Sequence, residues 1–108
     1  MEELRRIRTI FTESLPIFSA LGDGNRQKLI LLMLDPKPKS VKELAEGTGM
    51  SRPSTSHHLK ILKDAGLIEE QKQGTRTYYH PRTGSHIEQL KELMEEIERL
   101  ETTKGEQA

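Results

Sequence analysis

The side chains with the most chemistry to offer lie between residues 51 and 82. Ser54, Thr55, Ser56 and His57 set hydroxyls beside an imidazole, which are the ingredients of a nucleophile and its base. Neighbours on one helix do not present triad geometry, and no acid stands close by to orient the imidazole, so no enzymatic activity is expected. The same stretch is better supplied for binding. Arg52, Lys60, Lys63, Lys72, Arg76 and Arg82 stand against Asp64, Glu69 and Glu70, six basic residues against three acidic ones, a net of +3. Arginine and lysine donate hydrogen bonds to phosphate oxygens and to the acceptor edges of bases.

The chain as a whole is balanced, with 17 basic and 17 acidic residues, so net charge alone points to no polyanion. The charge is polarised instead, because residues 85 to 108 carry three basic side chains against seven acidic ones. Cysteine is absent, which excludes a disulfide, a thiolate metal site and a cysteine nucleophile. Of the four histidines, His57 is the candidate for a base contact and His58 sits near an apolar helix edge in a structural role. His80 reads as a strand-end residue and His86 as a helix-start residue. No metal and no cofactor are expected.

The elements that position these residues follow from periodicity. Leu4, Ile7, Ile10, Phe11 and Leu15 mark one face of a first helix, and Pro16 opens a short second one that Gly22 to Gly24 ends. The run Leu29 to Leu34 is apolar on every side, and its leucines and methionine favour a buried helix, capped by Asp23 and stopped by Pro36 and Pro38. Ser40 and Glu43 have capping-box spacing at the start of a short helix with Val41, Leu44 and Ala45 on its apolar face. Gly47 and Gly49 allow a turn, and Ser51 caps the next helix. There Thr55, Leu59, Leu62 and Ala65 share one face, while Ser56, His57, Lys60 and Lys63 lie largely on the other. A β-hairpin from Leu67 to Pro81 follows, turning at Gln73 and Gly74. Ile87, Leu90, Leu93, Met94, Ile97 and Leu100 then stripe a last helix backed by glutamates.

Two short helices joined by a glycine-containing turn, the second polar and basic, have the form of a helix-turn-helix, and the basic hairpin supplies a wing. The fold expected is mainly α with a two-stranded β-wing, in the order α1-α2-α3-α4-recognition helix-β-β-α. The DNA-binding residues expected are Ser51, Arg52, Ser54, Ser56, His57, Lys60, Lys63, Lys72 and Arg76. Lys63 and Arg76 are expected on phosphates, and Arg52, Ser56, His57 and Lys60 on the groove floor. Tyr78 and Tyr79 alternate across a strand, so one packs and the other is free to reach a phosphate.

These segments resemble the ArsR/SmtB winged helix-turn-helix repressors from about Phe11 to Leu100. The resemblance rests on ALGDGNR at 20–26, VKELA at 41–45, SRPSTSHHLKIL at 51–62, AGLI at 65–68 and GTRTYY at 74–79. Gly24 stands where many relatives carry proline. The resemblance implies a homodimer, an operator of double-stranded DNA with an inverted repeat, and release by a signal that the sequence does not identify. Many members sense metals, yet the thiolate site cannot exist here. In the other common site His86 falls at the first histidine, its aspartate partner falls at Gly84, and the later ligand pair falls near Ile97 and Leu100.

Hydrophobic residues make up only 32% of the 108, a thin supply for a self-sufficient core. A dimer seam from Leu4, Ile7, Phe11, Leu90, Leu93, Ile97 and Leu100 would bury what one chain cannot. One domain is expected over residues 1–101, with a frayed tail from 102 to 108. No apolar run approaches the about 20 residues of a membrane span, and the charged start lacks a signal-peptide stretch, so a cytoplasmic protein without membrane contact is expected. A winged-helix adaptor that recruits a protein without reading DNA is the alternative.

Overall fold

A computed structural model describes the backbone of residues 2–82 and 84–107, and the side chains of these residues except 85–87 and 103–107. The side chain of His86 therefore lies outside the described residues, as do Ile87's side chain and Ala108. The chain divides into two compact units, Met1–Leu15 with Thr83–Ala108, and Pro16–Arg82.

The first unit pairs helix α1 (Glu2–Glu13) with helix α6 (Ser85–Gln107). Glu2 and Glu3 in the first turn of α1 suit the positive end of its dipole. Ile7, Ile10 and Leu93 are buried in the seam, with Ile97 and Leu100 packed against them. Arg6 pairs with Glu92, and Gln89 Nε2 donates to Glu13 Oε2 at 2.6 Å. The stripes of the two helices thus meet within one chain. Beyond Leu100 the backbone stays helical to Gln107, past Thr102, where fraying was expected. Glutamate, lysine and glutamine form helix well there, and one glycine costs only about 1 kcal/mol.

The second unit carries most of α2 (Leu15–Leu21), then α3 (Gly24–Met33), β1 (Lys39–Ser40), α4 (Val41–Thr48), α5 (Arg52–Asp64), β2 (Ile68–Gln73) and β3 (Arg76–Pro81). The apolar run at 29–34 is helical, with Leu29 and Met33 in the core. Asp23 caps α3 by accepting from the amides of Asn25 and Arg26 at 2.9 and 3.1 Å. The Arg26 amide, helped by the Arg26 charge and the Asn25 amide, holds this carboxyl below the ordinary aspartate value. Arg26 also donates to the carbonyls of Ala20 and Ser19, and its Nη1 meets His58 Nδ1 at 3.2 Å. His58 thus joins α5 to the first turn of α3. Ala20, Leu29, Met33, Leu44, Leu59, Leu62, Ala65 and Ile68 form the core, and Tyr79 packs on it.

The hairpin gains a third strand that periodicity did not show. The antiparallel order is β1-β3-β2, with Lys39 opposite Tyr79 and Ser40 opposite Tyr78. Two residues are too few to display alternation. They pair because an N-cap residue is itself extended, and Ser40, at φ −80° and ψ 165°, can lie along β3 before α4 begins.

Candidate nucleic-acid interface

The turn between α4 and α5 is built from two matched caps. Gly49 ends α4 at φ 77°, a left-handed conformation that costs glycine nothing, and its amide reaches Ala45. Ser51 opens α5 by accepting from the Ser54 amide at 3.2 Å, while Pro53 occupies the first turn, where no backbone donor is missed. Thr55, Leu59 and Leu62 are buried. Their burial fixes the rotation of α5, so that Arg52, Ser56, His57, Lys60 and Lys63 are exposed.

The expected contact residues are not equally available. The Ser51 hydroxyl keeps its own proton to donate after capping the helix. Ser54 is half-buried and its Oγ is turned to Met50 Sδ at 3.8 Å. Lys60 Nζ lies 2.9 Å from Asp64 Oδ2, and Lys63 is hydrogen-bonded to Glu70 on β2. That bond raises the Lys63 pKa above the ordinary lysine value. Burial, helped by the Glu70 charge, pushes the Tyr79 hydroxyl up as well.

Lys72 and Arg76 are exposed near the tip of the wing. Gly74, at φ 65°, is the first central residue of the two-residue loop between the paired Gln73 and Arg76, which suits a type II′ hairpin turn. Two grooves flank the strands. One of about 380 Å³ is lined by Ser40, Lys42, Arg52, Arg76 and Tyr78 among others, and one of about 280 Å³ by Ser56, Lys60, Lys63, Asp64, Glu70 and Tyr79 among others. Of the two tyrosines, Tyr79 packs on the core and Tyr78 lines the groove that holds both arginines. Lys42, which no motif in the sequence singles out, lines that groove as well, brought beside the wing by β1.

The expected dimer residues fall into three groups. Ile7 and Leu93 are 8% and 2% exposed, covered inside the chain, whereas Leu4 and Phe11 are 46% and 45% exposed. Leu90, Ile97 and Leu100 are partly buried. Among the described residues no group of three or more histidines, cysteines or carboxylates could hold a metal ion, and no helix is long and apolar enough to cross a membrane.

Known proteins share both the sequence and the fold. The profile of bacterial regulatory proteins of the arsR family matches residues 23–70, which spans α3 to the start of the wing. The transcriptional repressor SdpR of Bacillus subtilis is 40% identical over 63 residues, covering 58% of this chain and 69% of that protein. The HTH-type transcriptional regulator YgaV of Escherichia coli is 35% identical over 80 residues, covering 73% and 80%. A homodimeric winged helix-turn-helix DNA-binding domain from Mycobacterium bovis superposes with a TM-score of 0.66 at 25% identity, covering 95% of this chain and 91% of that one. A winged helix-turn-helix with these caps and these relatives places the chain in the arsR family of bacterial regulatory proteins.

Proposed function

We propose that this protein is a homodimeric, sequence-specific regulator of transcription that binds double-stranded DNA, represses from an operator with an inverted repeat, and leaves it in response to a signal. It acts by binding rather than by catalysis, in the cytoplasm. The observation that carries this reading is the exposed polar face of α5, with Arg52, Ser56, His57 and Lys60, beside a wing that presents Lys72 and Arg76. A helix with such a face fits a major groove, and basic residues at a wing tip suit the adjoining backbone. The relatives support it, since proteins at 35% and 40% identity are named as a transcriptional regulator and a transcriptional repressor.

Within this reading, Arg52, Ser56, His57 and Lys60 face base edges, while Ser51, Lys63, Lys72 and Arg76 serve the phosphates, with Ser54 holding the turn. The dimer seam is assigned to α1 and α6, with Leu4, Phe11, Leu90, Ile97 and Leu100 meeting the second copy. The adaptor alternative is less favoured, because the relatives described above are named for the regulation of transcription. Footprinting on the promoter that precedes the protein's own coding sequence tests the reading. Protection of an inverted repeat with half-sites about one helical turn apart is the result expected. Binding to no duplex at any salt concentration would refute it.

A further inference from the structure

The two lysines in the second half of α5 are already engaged, and the two engagements differ. Lys60 and Asp64 lie one helical turn apart with side chains 74% and 62% exposed. Such a pair holds little in water and gives way readily to another anion. Lys63 and Glu70 are 49% and 28% exposed, and their bond joins α5 to β2 across a groove that Tyr79 also lines. Less water reaches this pair, so its attraction is less screened.

We propose that Glu70 is a specificity-determining residue, whose carboxylate holds Lys63 in the place of a DNA phosphate and so lowers affinity for duplex of the wrong sequence. The inference rests on the DNA-binding reading above. A phosphate gains Lys63 only by displacing Glu70, and the displaced carboxylate then faces a polyanion. On the correct sequence, base contacts from the first half of α5 hold the backbone close enough for the exchange. On random duplex they are not all made, and Lys63 stays with Glu70. A lysine that remains neutralised releases no counterion, so non-specific binding is less salt-dependent than the number of exposed cations suggests.

The neighbouring residue supplies the control. Glu69 is also exposed on β2, but its carboxylate lies 3.5 Å from Arg82 Nε and 4.0 Å from His80 Nε2. Glu69→Gln removes the same charge and frees no lysine of α5. The experiment titrates the full chain and its Glu70→Gln, Glu69→Gln, Lys63→Met and Lys63→Met/Glu70→Gln variants against the footprinted operator and a scrambled duplex of equal length, at several salt concentrations. Glu70→Gln is expected to tighten scrambled-duplex binding about three- to fivefold. It should also steepen the salt dependence by up to about 0.9 units of slope, the share of one phosphate contact. Glu69→Gln should change the slope little, and adding Lys63→Met should return Glu70→Gln to the wild-type slope.

Equal shifts in Glu70→Gln and Glu69→Gln would overturn the assignment. So would a Lys63→Met variant that on its own lost a full unit of slope on scrambled duplex, and this second measurement stands even if Glu70→Gln folds poorly. Wild-type protein that bound no duplex would instead refute the DNA-binding reading itself.

Discussion

At Gly24, where the resemblance places proline in many relatives, the glycine has a local reading. Gly24 is the first residue of α3, and a Cβ built there meets nothing within 4 Å. Asp23 before it is extended, at φ −129° and ψ 129°, which is the conformation a following proline requires. The Asp23 side chain bonds the amides of Asn25 and Arg26, so it does not depend on the Gly24 amide. Gly24→Pro should therefore stabilise the fold by about 0.4–1 kcal/mol, through the freedom that the unfolded chain loses. Urea titration measures this, and a midpoint below that of the wild type would show that the turn needs glycine. The caps themselves were legible as residue types at fixed spacing: Asp23, Ser40 with Glu43, and Ser51 all cap as their positions suggested. Ion pairing was not legible, because Lys63 meets a residue seven positions away through a turn whose geometry the sequence does not print.

At the scale of elements, α5 and the wing should fail in different ways when altered. Arg76→Ala should weaken binding to all duplexes and reduce the salt slope by about one unit, as expected of a phosphate contact. His57→Ala should cost about 1–3 kcal/mol mainly on the preferred site. Titration against specific and scrambled duplexes at several salt concentrations separates them, and proportional loss in both variants would erase the distinction between readers and anchors. The helices were legible from their apolar periods and caps. The strand β1 was not, since its two residues pair only because α4's cap happens to lie beside β3. Arg52 also takes on a second aspect, for it lines the same groove as Arg76.

At the scale of the whole molecule, the proposed dimer raises the question of which apolar surface a second copy would cover. Leu93 is unsuitable for asking it. A charge there would break the α1–α6 seam of the single chain before it disturbed a dimer, because Leu93 is 2% exposed. Leu4, at 46% exposed, is the better probe. Light scattering at micromolar concentration should give the mass of a dimer for the wild type and of a monomer for Leu4→Glu, with DNA affinity falling in the variant. A dimeric Leu4→Glu would move the interface away from α1. That the two helical stripes satisfy one another was not legible in the sequence, since an amphipathic face shows that it must be covered and not by which chain.

The strand order has a mechanical side. At Tyr78 and Tyr79 the central strand β3 has neighbours on both edges, whereas from Thr77 outwards it has only β2. The wing is thus a cantilever, clamped at its root by three strands and overhanging with two. Amide hydrogens at the clamp should exchange slowly and those of the overhang quickly. Lys72 and Arg76 ride on the overhang, so under the proposed DNA-binding reading they would follow the local width of a groove while the anchored root keeps its alignment with α4.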